Sequence, residues 1–142
     1  MLKRNGWTRG RIALREWLPV IVLMCCTFVF NTSEFIPIGL LSDIAADFGI
    51  TEARAGLLIT VYAWVVALVS LPLMLAVARM ECRRLMRGVL GLFIASHVLS
   101  GLSSSYAMLM ASRIGVACAH AVFWPIVSPL AVRVAPKGAQ SA

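Results

Sequence analysis

Charged residues are scarce in this chain of 142 residues: they make up 13% of it, against 61% hydrophobic residues. Soluble domains usually carry about 25% charged and about 45–50% apolar residues. A soluble globule this small has too much surface for its volume to bury so many apolar side chains. Disordered chains are poor in apolar residues, so disorder is excluded as well. The composition therefore predicts a membrane protein.

Residues and motifs typical of metal sites, disulfide scaffolds and enzyme active sites are also few. The four cysteines and two histidines have neither the spacing of a disulfide scaffold nor that of a metal site. The chain has no P-loop, dinucleotide fingerprint, HExxH sequence or nucleophile elbow. We therefore expect no metal, no cofactor and no enzymatic activity.

Four apolar stretches are present, and each is near the roughly 20 helical residues that cross a bilayer core. The predicted fold is an all-α integral membrane protein with transmembrane helices at about 18–41, 55–78, 88–104 and 107–132. Residues 1–17 would form a basic N-terminal segment, and residues 133–142 a tail. A secretory signal peptide is the alternative for the first stretch, but the apolar run continues to Leu41 without a small-residue cleavage site.

Basic residues alternate between successive connections. They are concentrated before the first stretch, between the second and third, and after the fourth, whereas the first connection is mainly acidic. The positive-inside rule then places both termini in the cytoplasm. This topology accounts for the formal net charge of +7, so the lipid bilayer is the expected partner and nucleic acid is not.

Two ionisable residues lie inside predicted helices, Glu34 in the first and Arg113 in the fourth. A charge at a helix centre costs roughly 2.5–3.5 kcal/mol on insertion scales, and such residues commonly mark a substrate or ion path. Both lie roughly 10 Å below the outer surface at about 1.5 Å of rise per residue. We expect them to pair. The alternative is a sealed ion pair with a purely structural role.

Each charge shares a helix face with other polar groups. Thr27, Asn31 and Glu34 follow the spacing of one face, and Arg113 and His120 follow that of another. We expect both faces to line a single water-accessible cavity, with Glu34, Arg113 and His120 as candidates for an ion or substrate path.

The second histidine, His97, is a weaker candidate than His120 because it does not share the face of Arg113. An isolated histidine in a membrane helix can equally bridge helices by a hydrogen bond.

Local signals predict how the elements begin and how closely they pack. Ser42 is the predicted N-cap of a short interfacial helix that Gly49 ends, and Thr51 is the predicted cap of the second transmembrane helix. Small residues four apart, around Gly91 and around Gly115, predict close approach of helices.

Several runs resemble bacterial sugar efflux transporters of the major facilitator superfamily, in its drug:proton antiporter branch. The likeness covers most of residues 18–136 and is carried by residues 30–45 (FNTSEFIPIGLLSDIA), 61–68 (VYAWVVAL), 94–100 (IASHVLS) and 112–117 (SRIGVA).

The resemblance implies a fold of twelve helices in two halves, of which this chain would supply helices 1–4. It implies export of sugar across the bacterial inner membrane, driven by protons. Glu34 matches the acidic residue of helix 1, and Arg113 matches the arginine of the helix 4 motif. Arg79, Arg83 and Arg84 match basic positions of the cytoplasmic loop motif.

The chain departs from that pattern at three positions, with Ala78, Glu81 and Ala117 where the family usually has Asp, Gly and Gly. With only four of twelve helices, we expect a fragment or truncated form of the exporter. The alternatives are an exporter of drugs or other small solutes from the same superfamily, a complete four-helix dimeric exporter similar to the small multidrug resistance family, and a membrane remnant that transports nothing.

Overall fold

The computed structural model describes the backbone of residues 6–135 and the side chains of residues 15–135. This part of the chain is helical and contains no β-strand. Five α-helices follow one another: α1 (Gly6–Gly39), α2 (Leu41–Asp47), α3 (Glu52–Val77), α4 (Cys82–Gly101) and α5 (Tyr106–Val134).

Three helices in the described part are long and apolar enough to cross a membrane, at Arg15–Gly39, Glu52–Val77 and Tyr106–Val134. The remaining long helix, α4, has 20 residues. That length suffices for a crossing, but three arginines in its first two turns lower its hydropathy. Large apolar side chains such as Phe28 (71% exposed) and Leu71 (69% exposed) face outward, as lipid-facing residues do. The chain is therefore an all-α membrane protein.

Helix ends differ from the predicted ones mainly at α1. This helix begins at Gly6, so the helical conformation extends into the basic segment before residue 18. The short helix α2 is present, but the predicted Ser42 cap is wrong. The N-cap position is Leu40, whose side chain has no polar atom, because the chain passes from α1 to α2 with helical hydrogen bonds at both sides of Leu40.

The turn between α2 and α3 matches its sequence. Gly49 has a φ of 59°, a left-handed conformation that favours glycine. The Thr51 hydroxyl then accepts a hydrogen bond from the backbone N–H of Arg54 at 3.3 Å, which confirms the predicted cap. Ser105 caps α5 in the same way by accepting from the N–H of Met108.

Helix α5 is the centre of the bundle and packs along both α3 and α4, with α1 against it on a further side. Phe30 of α1 stacks between Phe93 of α4 and Phe123 of α5, with ring centroids 4.0 and 3.9 Å away and interplanar angles of 15° and 16°. These three rings join three helices in the core. Such contacts add about 0.5–1.5 kcal/mol per pair to the gain from burial.

Close approach of α4 and α5 depends on Gly115. A Cβ atom at this position would collide with the Ser96 hydroxyl of α4. Gly91 is different, since a Cβ there would meet nothing within 4 Å. The predicted small-residue contact is therefore present at Gly115 and absent at Gly91.

Candidate functional site

The buried cation of the bundle is Arg113, which is 6% exposed. Its Nη1 donates a hydrogen bond to the backbone carbonyl of Ser33 on α1 at 3.2 Å. Its guanidinium carbon lies 4.9 Å from the ring centroid of Tyr62 on α3, a cation–π distance. The Nε atom is buried and has no hydrogen-bond partner. Arg113 thus connects three helices and keeps one donor unused.

The predicted salt bridge between Glu34 and Arg113 is not formed in the described part of the chain. The guanidinium contacts the carbonyl of the residue before Glu34 instead. Glu34 is half-buried and interacts electrostatically with both Arg113 and Tyr62. The Ser33 carbonyl is available to Arg113 because Pro37, four residues further along α1, has no N–H to donate to it.

A cavity of about 500 Å³ opens at the end of the bundle where α1 meets α2, which we call the α2 end. Arg113 and His97 contribute to its wall. So do the side chains of several serines, one carboxylate and a set of apolar residues. The polar lining residues are Ser33, Ser100, Ser103, Ser104 and Asp47.

His97 bridges α4 to α1 beside this cavity. Its Nδ1 lies 2.9 Å from the carbonyl oxygen of Phe93, and its Nε2 lies 2.9 Å from the Ser33 hydroxyl. A carbonyl only accepts, so Nδ1 carries a proton, and Nε2 of the neutral ring then accepts from the hydroxyl. The Ser33 carbonyl therefore accepts a hydrogen bond from Arg113, and the Ser33 hydroxyl donates one to His97.

His120 is fully buried and is not placed as the sequence predicts. Its Nδ1 and Nε2 both lie 3.0 Å from backbone carbonyl oxygens, those of Val116 and Phe30. Its ring packs against Phe30 and, edge-on, against Tyr62 at 5.6 Å between centroids. The prediction that His120 rather than His97 lines the cavity is wrong, because His97 is part of the cavity wall and His120 is buried in the core.

Thr27 and Asn31 lie elsewhere. They form part of a separate open groove of about 330 Å³ between α1 and α5, together with apolar residues of both helices. The Thr27 hydroxyl donates to the carbonyl of Leu23 at 2.9 Å and so is already satisfied within its own helix. The expectation that Thr27, Asn31 and Glu34 share one cavity with Arg113 is therefore corrected. Among the described residues, the groove and the Arg113 cavity have no lining residue in common, and Glu34 is in neither lining.

The predicted loop motif lies at the other end of the bundle, which we call the basic end. Arg79 is in the turn after α3, and Arg83 and Arg84 are in the first turn of α4. All three side chains are exposed. They are far from the cavity because the lengths of α3 and α4 separate the two ends of the bundle.

Residues 15–135 contain no group of three or more His, Cys, Asp or Glu side chains that could hold a metal ion. The four cysteines are all free.

The two partners of Arg113 differ in what the sequence shows. The Ser33 carbonyl had a signal, because Pro37, four residues further on, has no N–H to donate to it. Tyr62 lies in a long apolar helix, where an aromatic residue is commonplace. His97 did carry a signal, since it is a polar residue in an otherwise apolar stretch of α4.

The bundle of long apolar helices with a buried arginine and a half-buried carboxylate defines a polytopic membrane protein with polar groups inside its helices. Comparison with protein families matches the chain to the Major Facilitator Superfamily over residues 23–142. The chain belongs to this superfamily, whose members are secondary transporters and not enzymes.

Proposed function

We propose that this chain serves in the proton-coupled export of a small hydroxylated solute, a sugar. The observation that carries the proposal is the placement of Arg113: a buried cation with an unused Nε donor, in the wall of a cavity with several hydroxyl groups and within electrostatic range of Glu34. A protein pays the cost of burying such a charge where it has a role in binding or transport.

The proposed coupling follows from charge. When Glu34 is ionised, its negative charge offsets the cation of Arg113. A proton on Glu34 removes that charge, and the guanidinium then interacts more strongly with other oxygen atoms, including those of a solute. Binding of the solute and binding of the proton thereby influence each other, as linkage requires.

The hydroxyl-rich lining supports a sugar as the solute. Sugar hydroxyls both donate and accept, and the cavity offers serine hydroxyls for either role, Arg113 as a donor and Asp47 as an acceptor. Its volume of about 500 Å³ is within the range of small-molecule sites, about 300–1,000 Å³.

Measurement of proton release or uptake when sugar is added to the purified chain, in weakly buffered detergent, tests the proposal. We expect a sugar-dependent pH change in the native chain and none in Glu34→Gln. Asp43→Asn is the matched control, since it neutralises an exposed carboxylate on α2 that is not part of the cavity lining. An unchanged signal in Glu34→Gln rejects the coupling role, and the lack of any sugar binding by the native chain rejects sugar as the solute.

The α1–α5 groove favours a second candidate, export of a drug or other apolar solute. Its lining includes Leu23, Met24 and Phe28 beside Thr27 and Asn31, a mixture suited to an apolar molecule with one polar group. A lipophilic dye whose binding is lost in Asn31→Leu, while sugar has no effect on proton uptake, would favour this candidate.

A further inference from the structure

Three arginines surround an apolar cleft at the basic end, between the start of α4 and the end of α5. The cleft has a volume of about 770 Å³ and contains Cys82, Met86 and Leu130 as its apolar lining. Arg83, Arg87 and Arg133 also line it, and no acidic residue of the described part of the chain belongs to the lining. All three arginine side chains are exposed, while the apolar residues are partly buried.

The cleft continues into a second apolar pocket of about 210 Å³ between α3, α4 and α5. Cys82, Leu130 and Arg133 belong to both. Apolar surface thus lies directly beside a cluster of positive charge. This combination suits a molecule with an anionic head and apolar chains.

The local electrostatic potential around these arginines favours a bound anion. Arg83 and Arg87 lie in the first two turns of α4, where the positive end of the helix dipole disfavours cations. The N-cap residue of α4, Glu81, makes no side-chain cap hydrogen bond, and it is exposed. Arg87 is held in place by its Nε, which donates to the carbonyl of Arg83 at 3.4 Å.

We propose that this cleft binds one anionic phospholipid of the surrounding bilayer. The phosphate contacts Arg83, Arg87 and Arg133, and the two acyl chains cover Met86 and Leu130 and extend toward the second pocket. Basic pockets between transmembrane helices bind anionic lipid head groups in this way. The proposal is independent of the solute that the protein transports, because the cleft and the α2-end cavity lie at opposite ends of the bundle.

Native mass spectrometry of the full chain in detergent, with phosphatidylglycerol and phosphatidylcholine added in equal amounts, tests this site. We expect retention of one phosphatidylglycerol in preference to phosphatidylcholine. Each arginine near the membrane surface is worth about 1 kcal/mol of attraction, about a fivefold change in affinity. The double variant Arg87→Gln with Arg133→Gln should therefore bind phosphatidylglycerol roughly twentyfold to thirtyfold more weakly.

The chain offers a matched control in Arg79→Gln with Arg84→Gln. This variant loses the same charge from the same end, at exposed residues that are not part of either lining. It should change the affinity by less than about threefold. Equal losses in both double variants would show attraction to the whole basic surface and overturn the site.

A second measurement separates a lipid from a free anion. Phosphatidylglycerol should raise the melting temperature of the native chain, whereas glycerol phosphate and inorganic phosphate at the same concentration should not. Equal stabilisation by these anions, which have no acyl chains, would contradict the role of the apolar lining and overturn the assignment to a phospholipid.

Discussion

Arg113 on α5 donates a hydrogen bond from Nη1 to the backbone carbonyl of Ser33 on α1, at 3.2 Å. The same Ser33 contacts His97 on α4 through its hydroxyl at 2.9 Å. One serine therefore connects a buried cation to an imidazole on another helix, and its two polar groups act separately. The carbonyl accepts from Arg113 whatever residue stands at position 33, while the contact with His97 requires a hydroxyl.

Replacement of Arg113 by Met should lower the stability of the bundle. The change leaves the Ser33 carbonyl without its donor and removes the contact with the Tyr62 ring, at a cost of about 1–3 kcal/mol. Thermal unfolding in detergent measures this, with Arg84→Gln as an exposed control expected to stay within about 0.5 kcal/mol of the native chain. A more stable Met variant would indicate that the charge is retained for function alone.

Replacement of Gly115 by Ala should force α4 and α5 apart. The new Cβ meets the Ser96 side chain on a packed face, so we expect a loss of about 1–3 kcal/mol. Gly91→Ala provides the matched control, because it adds the same methyl group to a position with open space. Its stability should be unchanged or raised by up to about 1 kcal/mol from helix propensity. Similar unfolding temperatures for the two variants would contradict close packing at Gly115.

The stack of Phe30, Phe93 and Phe123 should be sensitive to truncation. Phe123 is 0% exposed, and Phe123→Ala removes a ring that touches its neighbour at 3.9 Å between centroids. The expected loss is about 3–5 kcal/mol, because a cavity remains in the core. Phe28→Ala is the control, since this ring is 71% exposed and faces outward. Denaturant unfolding of both variants in the same detergent checks the difference.

The two predicted caps should behave differently. Thr51→Ala removes the hydroxyl that accepts from the N–H of Arg54 and should destabilise the start of α3 by about 1 kcal/mol. Ser42→Ala removes a hydroxyl that makes no cap bond to α2 and should cost less than about 0.5 kcal/mol. Amide hydrogen exchange at residues 52–55 and 42–45 distinguishes them. Equal changes at both helix starts would refute the capping geometry.

Much of the architecture was predictable because it depends on neighbours along the chain. Long apolar runs have to be helical in a bilayer, where each backbone polar group needs a partner within its own segment. Thr51 and Gly49 act on backbone atoms two or three residues away, so their roles could be predicted locally. Ser42 failed as a cap because the chain enters α2 directly from α1, a continuity that composition does not reveal.

The partners of the polar residues could not be predicted in the same way. Depth along two helices brought Glu34 and Arg113 to one level, and they do interact electrostatically. Depth does not define the rotation of each helix about its axis, and this rotation directs Arg113 to the Ser33 carbonyl. For the same reason the sequence favoured His120 as the cavity residue, whereas the structure places His97 in the cavity wall and His120 in the core.

The amino-acid sequence by itself determined that the chain is a helical membrane protein, which helices are long and apolar, and which ionisable groups lie inside them. These properties follow from hydrophobicity and local hydrogen bonding. Only the tertiary structure decided that Arg113 bonds to Ser33, that His97 borders the cavity while His120 is buried, and that three phenylalanines stack at the centre. Those contacts join residues distant in sequence, and they depend on how side chains of fixed volume fill the space between helices whose rotation and tilt are set by packing.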